Sequence, residues 1–70
     1  MKAEQAITYL RSMQPGEPVF VLRAQDRLAP DVVDTWADRA EIADVRSGKV
    51  AEARDCARDM RAWPTTKTPD

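Results

Sequence analysis

Pro18-Val19-Phe20-Val21-Leu22-Arg23-Ala24-Gln25-Asp26-Arg27-Leu28-Ala29-Pro30 is where β-branched and aromatic residues run together, and it ends in a knot of polar side chains. How this stretch folds decides the architecture, because alanine-rich, helix-patterned sequence lies on both sides of it. Val-Phe-Val-Leu favours an extended chain, whereas Leu22 to Leu28 taken alone would make an acceptable helix. The β-rich start predicts a strand from Val19 to Ala24. Phe20, Leu22 and Ala24 then share one face, and Val19, Val21, Arg23 and Gln25 share the other. A single strand cannot satisfy its own backbone groups, and no second stretch of the chain is a convincing strand. The partner strand is therefore expected from another copy of the protein.

Upstream, Gln14-Pro15-Gly16-Glu17-Pro18 breaks the chain: Pro15 pushes Gln14 out of helical geometry, Gly16 can turn, and Pro18 fixes an extended entry. Before it, residues 2–13 carry helical periodicity. Ala3, Ala6, Ile7, Leu10 and Met13 fall on one face, Glu4, Thr8, Arg11 and Ser12 fall opposite, and Tyr9 borders the apolar stripe. Downstream, Asp26 to Ala29 reads as a connector, and Pro30 as the first residue of a helix running to about Asp44. Asp31 and Asp34 are expected in its first turn, favourable for the helix dipole. Its apolar stripe is Val32, Val33, Trp36, Ala37, Ala40 and Ala43, and Asp34, Asp38 and Glu41 form an acidic ridge. Ile42 lies outside the stripe and is a candidate second contact surface. A turn at 45–48, with Ser47 as expected N-cap, leads to a helix from about Gly48 to Ala62. There the stripe is Val50, Ala53, Cys56, Ala57, Met60 and Trp63. It is flanked by a basic row (Arg54, Arg58, Arg61) and an acidic one (Glu52, Asp55, Asp59). The short link makes an antiparallel helical hairpin the natural geometry.

The expected fold is thus mainly α (α+β): an N-terminal helix, one short strand pairing between subunits, and a C-terminal helical hairpin. Residues 1–63 form one small domain and 64–70 a flexible polar tail. Of 70 residues, 43% are apolar, but eleven of those are alanine, so the set of large apolar side chains is short. A core that small barely offsets the conformational entropy of folding, which again favours a homo-oligomer.

Composition excludes whole classes of chemistry. The single cysteine, Cys56, permits no internal disulfide, and with no histidine a structural zinc site and Ser-His-Asp or Cys-His catalysis are out of reach. Cys56 reads as a small packed thiol on the apolar side of its helix. A net charge of −1 gives no footprint for duplex nucleic acid. No apolar run approaches the ~20 residues that span a bilayer, and no signal peptide is expected. The chain is expected to be cytoplasmic, without cofactor, metal or membrane partner, and not an enzyme. Asp26, Asp31, Asp34 and Asp38 are carboxylates that general acid/base work or magnesium would need, but the last three sit on a solvated helix face.

Three constellations remain. Arg23, Gln25, Asp26 and Arg27 combine a guanidinium fork suited to phosphate or carboxylate, an amide and a carboxylate acceptor. Together they could recognise a nucleotide beside an oligomer interface; alternatively Asp26 closes the connector by a turn hydrogen bond and Arg23 pairs with a nearby acid. The row Arg54, Arg58 and Arg61 could take phosphate, or lie along the acidic ridge 34/38/41 of the neighbouring helix or of another subunit. Arg46-Ser47-Gly48-Lys49 precedes a helix and could hold an anion with Arg46 and Lys49, or simply be a capped turn; it lacks the Walker pattern. Val19, Val21, Trp36 and Ile42 are the expected interface residues.

Phe20-Val21-Leu22-Arg23-Ala24-Gln25-Asp26-Arg27-Leu28-Ala29-Pro30, then Trp36-Ala37, Lys49-Val50-Ala51-Glu52-Ala53 and Met60-Arg61-Ala62-Trp63, resemble a group of short bacteriophage and prophage proteins. The resemblance covers roughly residues 18–63 and transfers no catalytic or binding residue. It implies a context: small, self-assembling phage proteins that blunt host immunity. Such proteins either occlude a defence protein or sequester a nucleotide signal, such as a cyclic nucleotide or an ADP-ribose derivative, inside an oligomer. Sequestration suits a polar knot at a self-pairing strand, since ligand pockets often form between subunits. The alternatives are a module that occludes a host defence protein and a structural or regulatory phage component.

Overall fold

Three helices make up the regular structure of residues 1–69, which the computed structural model describes: α1 (Ala3–Ser12), α2 (Ala29–Ile42) and α3 (Ser47–Arg61). All three fall where hydrophobic periodicity puts them, within a residue or two at each end. The tail expected over 64–70 extends to Asp70, which lies outside the described residues.

Local chemistry explains each boundary. The Lys2 N–H donates to Gln5 Oε1 at 2.8 Å, satisfying a donor ahead of α1. Beyond Met13, the Glu17 N–H donates to the Gln14 carbonyl at 3.1 Å, and Gly16 takes φ +82°. With Pro15 at the preceding position this is a type II turn, the one that suits proline followed by glycine. The residue that opens α2 is Asp26. Its Oδ1 accepts the Leu28 N–H at 2.8 Å and its carbonyl accepts the Ala29 N–H at 3.1 Å. Two donors that a helix start leaves bare are thus satisfied by one residue. The helix begins at Ala29, so Pro30 is its second residue, and Asp34 moves out of the first turn, leaving Asp31 there.

α2 ends in a Schellman arrangement. Asp44 sits in the left-handed region at φ +61°, the Val45 N–H donates to the Ala40 carbonyl at 2.9 Å, and the Asp44 N–H to that of Glu41 at 3.2 Å. Val45 then packs on the Ala37, Ala40 and Val50 cluster, supplying the apolar contact that goes with this cap. The expected N-cap at Ser47 is corrected. Ser47 is already helical, the cap position belongs to Arg46, and no side chain caps α3.

The core is the seam between α2 and α3. Ala29, Pro30, Ala37 and Ala40 on α2 and Val50 and Ala57 on α3 are buried. Small residues let the two backbones approach closely, which is why alanine dominates. Two arginines fix the register. Arg54 Nη1 meets Asp38 at 2.9 Å and its Nη2 meets Glu41 at 2.8 Å; Arg61 Nη2 meets Asp31 at 2.9 Å and Asp34 at 2.7 Å. Seven residues forward on α3 answers seven residues back on α2, so the same clamp is made twice along an antiparallel hairpin. The stripe expected on α2 is narrower than the sequence suggests. Ala37 and Ala40 are buried against Val50 and Val33 is half-buried, while Val32, Trp36 and Ala43 on the adjoining face stay exposed.

α1 packs against neither α2 nor α3. No strand forms at 19–24 within the chain: residues 17–23 belong to no helix or strand, and a turn begins at Ala24. The physical reason is the one that made the strand require a second copy: extended backbone needs a partner, and the chain supplies none there. β pairing among the described residues is a single parallel bridge between Asp26 and Lys67.

Candidate functional site

The segment leading from the type II turn to α2 carries the candidate site. Its apolar half does not alternate as a half-buried strand would. Val19, Phe20 and Val21 are all exposed, Phe20 by 85%, and only Leu22 and Ala24 are half-buried. Its polar half folds into consecutive turns. The Asp26 N–H donates to the Arg23 carbonyl at 2.9 Å, and the Asp26 side chain then turns back onto the Leu28 N–H. The turn role considered for Asp26 is therefore realised, which leaves fewer of its acceptor sites for a ligand.

Arg23, Gln25 and Asp26 do come together. They line a shallow depression of about 160 Å³ with Val21, Lys67 and Pro69. Lys67 and Pro69 were not among the expected site residues. Their sequence signal is faint, a lone lysine between threonines in a polar tail, and only the fold brings them back to the turn. Arg27 does not line the depression; it takes part through its backbone, whose N–H donates to the Lys67 carbonyl at 2.9 Å. Arg46 and Lys49 are exposed at the start of α3, separate from this group. They also do not line the second depression, about 240 Å³, bounded by Glu41, Val45, Ser47, Val50, Ala51 and Arg54. The six expected ligand-binding residues thus divide into a converging trio (Arg23, Gln25, Asp26), a backbone contributor (Arg27) and an outlying pair (Arg46, Lys49).

The arginine row belongs to the hairpin. Arg54 and Arg61 hold the acidic ridge, with Asp31 added to it, and Arg58 pairs with Asp55 on its own helix at 3.1 Å. Hydrogen bonding to Asp38, then to Glu41, raises the Arg54 pKa above its ordinary value; Asp31, then Asp34, does the same for Arg61. Arg54 uses both arms of its fork on two carboxylates, whereas Arg61 holds both of its carboxylates through Nη2.

Of the expected interface residues, Val19, Val21, Trp36 and Ile42 all lie exposed, Val21 by 67% and Ile42 by 85%. Cys56 is a half-buried free thiol. Among the described residues no group of three or more Cys, Asp or Glu is placed to hold a metal ion, and no helix is long and apolar enough to cross a membrane.

A depression of 160 Å³ is well below the roughly 300–1,000 Å³ of small-molecule sites. Taken alone it holds part of a nucleotide-sized ligand. It can present a guanidinium, an amide and a carboxylate to such a ligand, but it does not enclose one. No family model, curated protein or solved structure matches the chain.

Proposed function

We propose that this protein is a non-catalytic binding protein of phage type that self-associates through the 19–28 segment. In the assembly, the Arg23–Asp26 end binds a small anionic ligand of the cyclic-nucleotide or ADP-ribose class and so withholds a defence signal in the host cytoplasm. One observation carries the proposal: exposed Val19, Phe20, Val21 and Leu28 flank in sequence the residues Arg23, Gln25 and Asp26, which with Val21 line a depression too small to enclose a ligand. Apolar side chains beside an incomplete site are what a homo-oligomer completes, since a second copy covers the one and walls the other. Pairing of the 19–24 segments between copies would give partners to the backbone groups of Val19 to Leu22, which make no hydrogen bond among the described residues. The core points the same way, because its buried side chains are alanines, one valine and one proline.

The test is a thermal-shift screen against cyclic di- and trinucleotides and ADP-ribose derivatives. A ligand at a hundred times its Kd adds about 2.7 kcal/mol, which in a domain this small moves Tm by about 10–20 °C. Melting points that stay within a degree or so across the screen would remove the sequestration reading. A second reading, occlusion of a host defence protein, is favoured by Ile42, which stands 85% exposed at the end of α2 and away from the apolar seam. A stoichiometric host protein recovered with the wild type but lost with Ile42→Asp supports that reading.

A further inference from the structure

Pro64 lies just beyond α3, where the Trp63 N–H donates to the Met60 carbonyl at 3.1 Å, and proline cannot continue a helix. The chain then turns back to the start of α2. The Lys67 N–H donates to the Gln25 carbonyl at 2.8 Å, and the Lys67 carbonyl accepts the Arg27 N–H at 2.9 Å. This is the parallel bridge, and it engages both backbone groups of one tail residue with the turn that carries the candidate site. The turn's other bonds, Arg23 to Asp26 and Asp26 to Leu28 and Ala29, are made within the turn itself. The Gln25 carbonyl and the Arg27 N–H point outward and take their partner from the tail. Two of the six residues lining the depression, Lys67 and Pro69, also come from the tail.

We propose that residues 65–69 are a strap, latched at Lys67, that forms one wall of the Arg23–Asp26 depression. Closed, the strap fixes the outward backbone of the turn and brings Lys67 into the lining of the depression with Arg23. Released, it leaves the depression an open edge. A latch of two backbone bonds on an exposed segment belongs to the part of a structure that opens most readily, so the strap can yield to a ligand and close on it. The role toward a ligand rests on the binding reading above; the latch itself does not.

Hydrogen exchange followed by NMR, on the full chain and two variants, tests it. Lys67→Pro removes the N–H that bonds Gln25, whereas Lys67→Gln keeps the backbone and removes the charge. The strap requires the Arg27 amide to exchange about tenfold faster or more in Lys67→Pro, while Lys67→Gln and the amides of α2 and α3 stay as in the wild type. An Arg27 amide that exchanges at one rate in all three proteins overturns the strap, whatever the ligand. A second arm uses a cyclic dinucleotide as probe. Both variants should bind it about fivefold or more weakly, one through the latch and one through the charge. Wild-type affinity in both would remove the strap from the site. If the wild type does not bind the probe, the sequestration reading fails, and the exchange result still decides the latch.

Discussion

Replacing Phe20 with serine separates the stability of the single chain from that of the assembly. Phe20 is 85% exposed, so its side chain contributes little to the folded monomer, and the change should leave monomer stability within about 0.5 kcal/mol. Covered by a second copy, the ring would gain about 1.5–2.5 kcal/mol from burial. In a symmetric contact both copies lose it, so the variant weakens self-association by about 3–5 kcal/mol, or a hundredfold to several thousandfold in Kd. Sedimentation velocity over a dilution series measures the Kd, and far-UV circular dichroism checks that the helices persist. Two results count against a Phe20 contact: an unchanged Kd, which places the contact elsewhere, or loss of helicity at all concentrations, which makes Phe20 part of the monomer's own fold.

Three further predictions concern the hairpin. Asp44→Gly relieves the left-handed conformation at φ +61° and should stabilise by about 0.5–1 kcal/mol, raising Tm by a few degrees in a thermal melt; a lower Tm would show that the Asp44 side chain has a stabilising partner. Ala57→Leu forces a larger side chain into a fully buried position on the α2–α3 seam and should cost about 1–3 kcal/mol by denaturant unfolding, with Ala51→Leu, at an exposed position, as the neutral control. Arg54→Gln with Arg61→Gln should lower Tm, and by more at low ionic strength than at high, because exposed pairs are screened. The pKa of each arginine is higher in the folded chain, so its contribution is complete below the ordinary arginine value and is lost only as pH rises through the raised one. The Tm difference between wild type and double variant should therefore show no arginine-driven change between about pH 6 and 10.

Helices and their pairing were legible because each signal repeats. Periodicity places α1, α2 and α3, and an acidic ridge on one helix with a basic row on the next offered ion pairing as one of two readings, the one that Arg54 and Arg61 realise. Where a single residue decides, the sequence was ambiguous. Ser47 carries the right side chain for a cap, yet the Schellman turn at Asp44 and Val45 delivers the chain one residue earlier, so Arg46 takes the cap position. Val19 to Ala24 has strand-forming residues, but strand propensity expresses packing against neighbouring strands, and among the described residues no strand pairs with it. In the site, Arg23, Gln25 and Asp26 are adjacent in sequence and so were visible together. Lys67 and Pro69 join them in the fold, where two backbone bonds tie Lys67 to Gln25 and Arg27. Backbone hydrogen bonds leave no mark on residue identity, so no composition or spacing argument reaches them.

The proposed self-association would cover the exposed 19–28 segment and complete the depression. Sedimentation equilibrium of the wild-type protein, over micromolar to high-micromolar concentrations, tests it most directly. A self-associating chain gives a mass of two or more times 7.9 kDa, lowered toward one chain on dilution and in Phe20→Ser. A wild-type mass of 7.9 kDa at every concentration would contradict it.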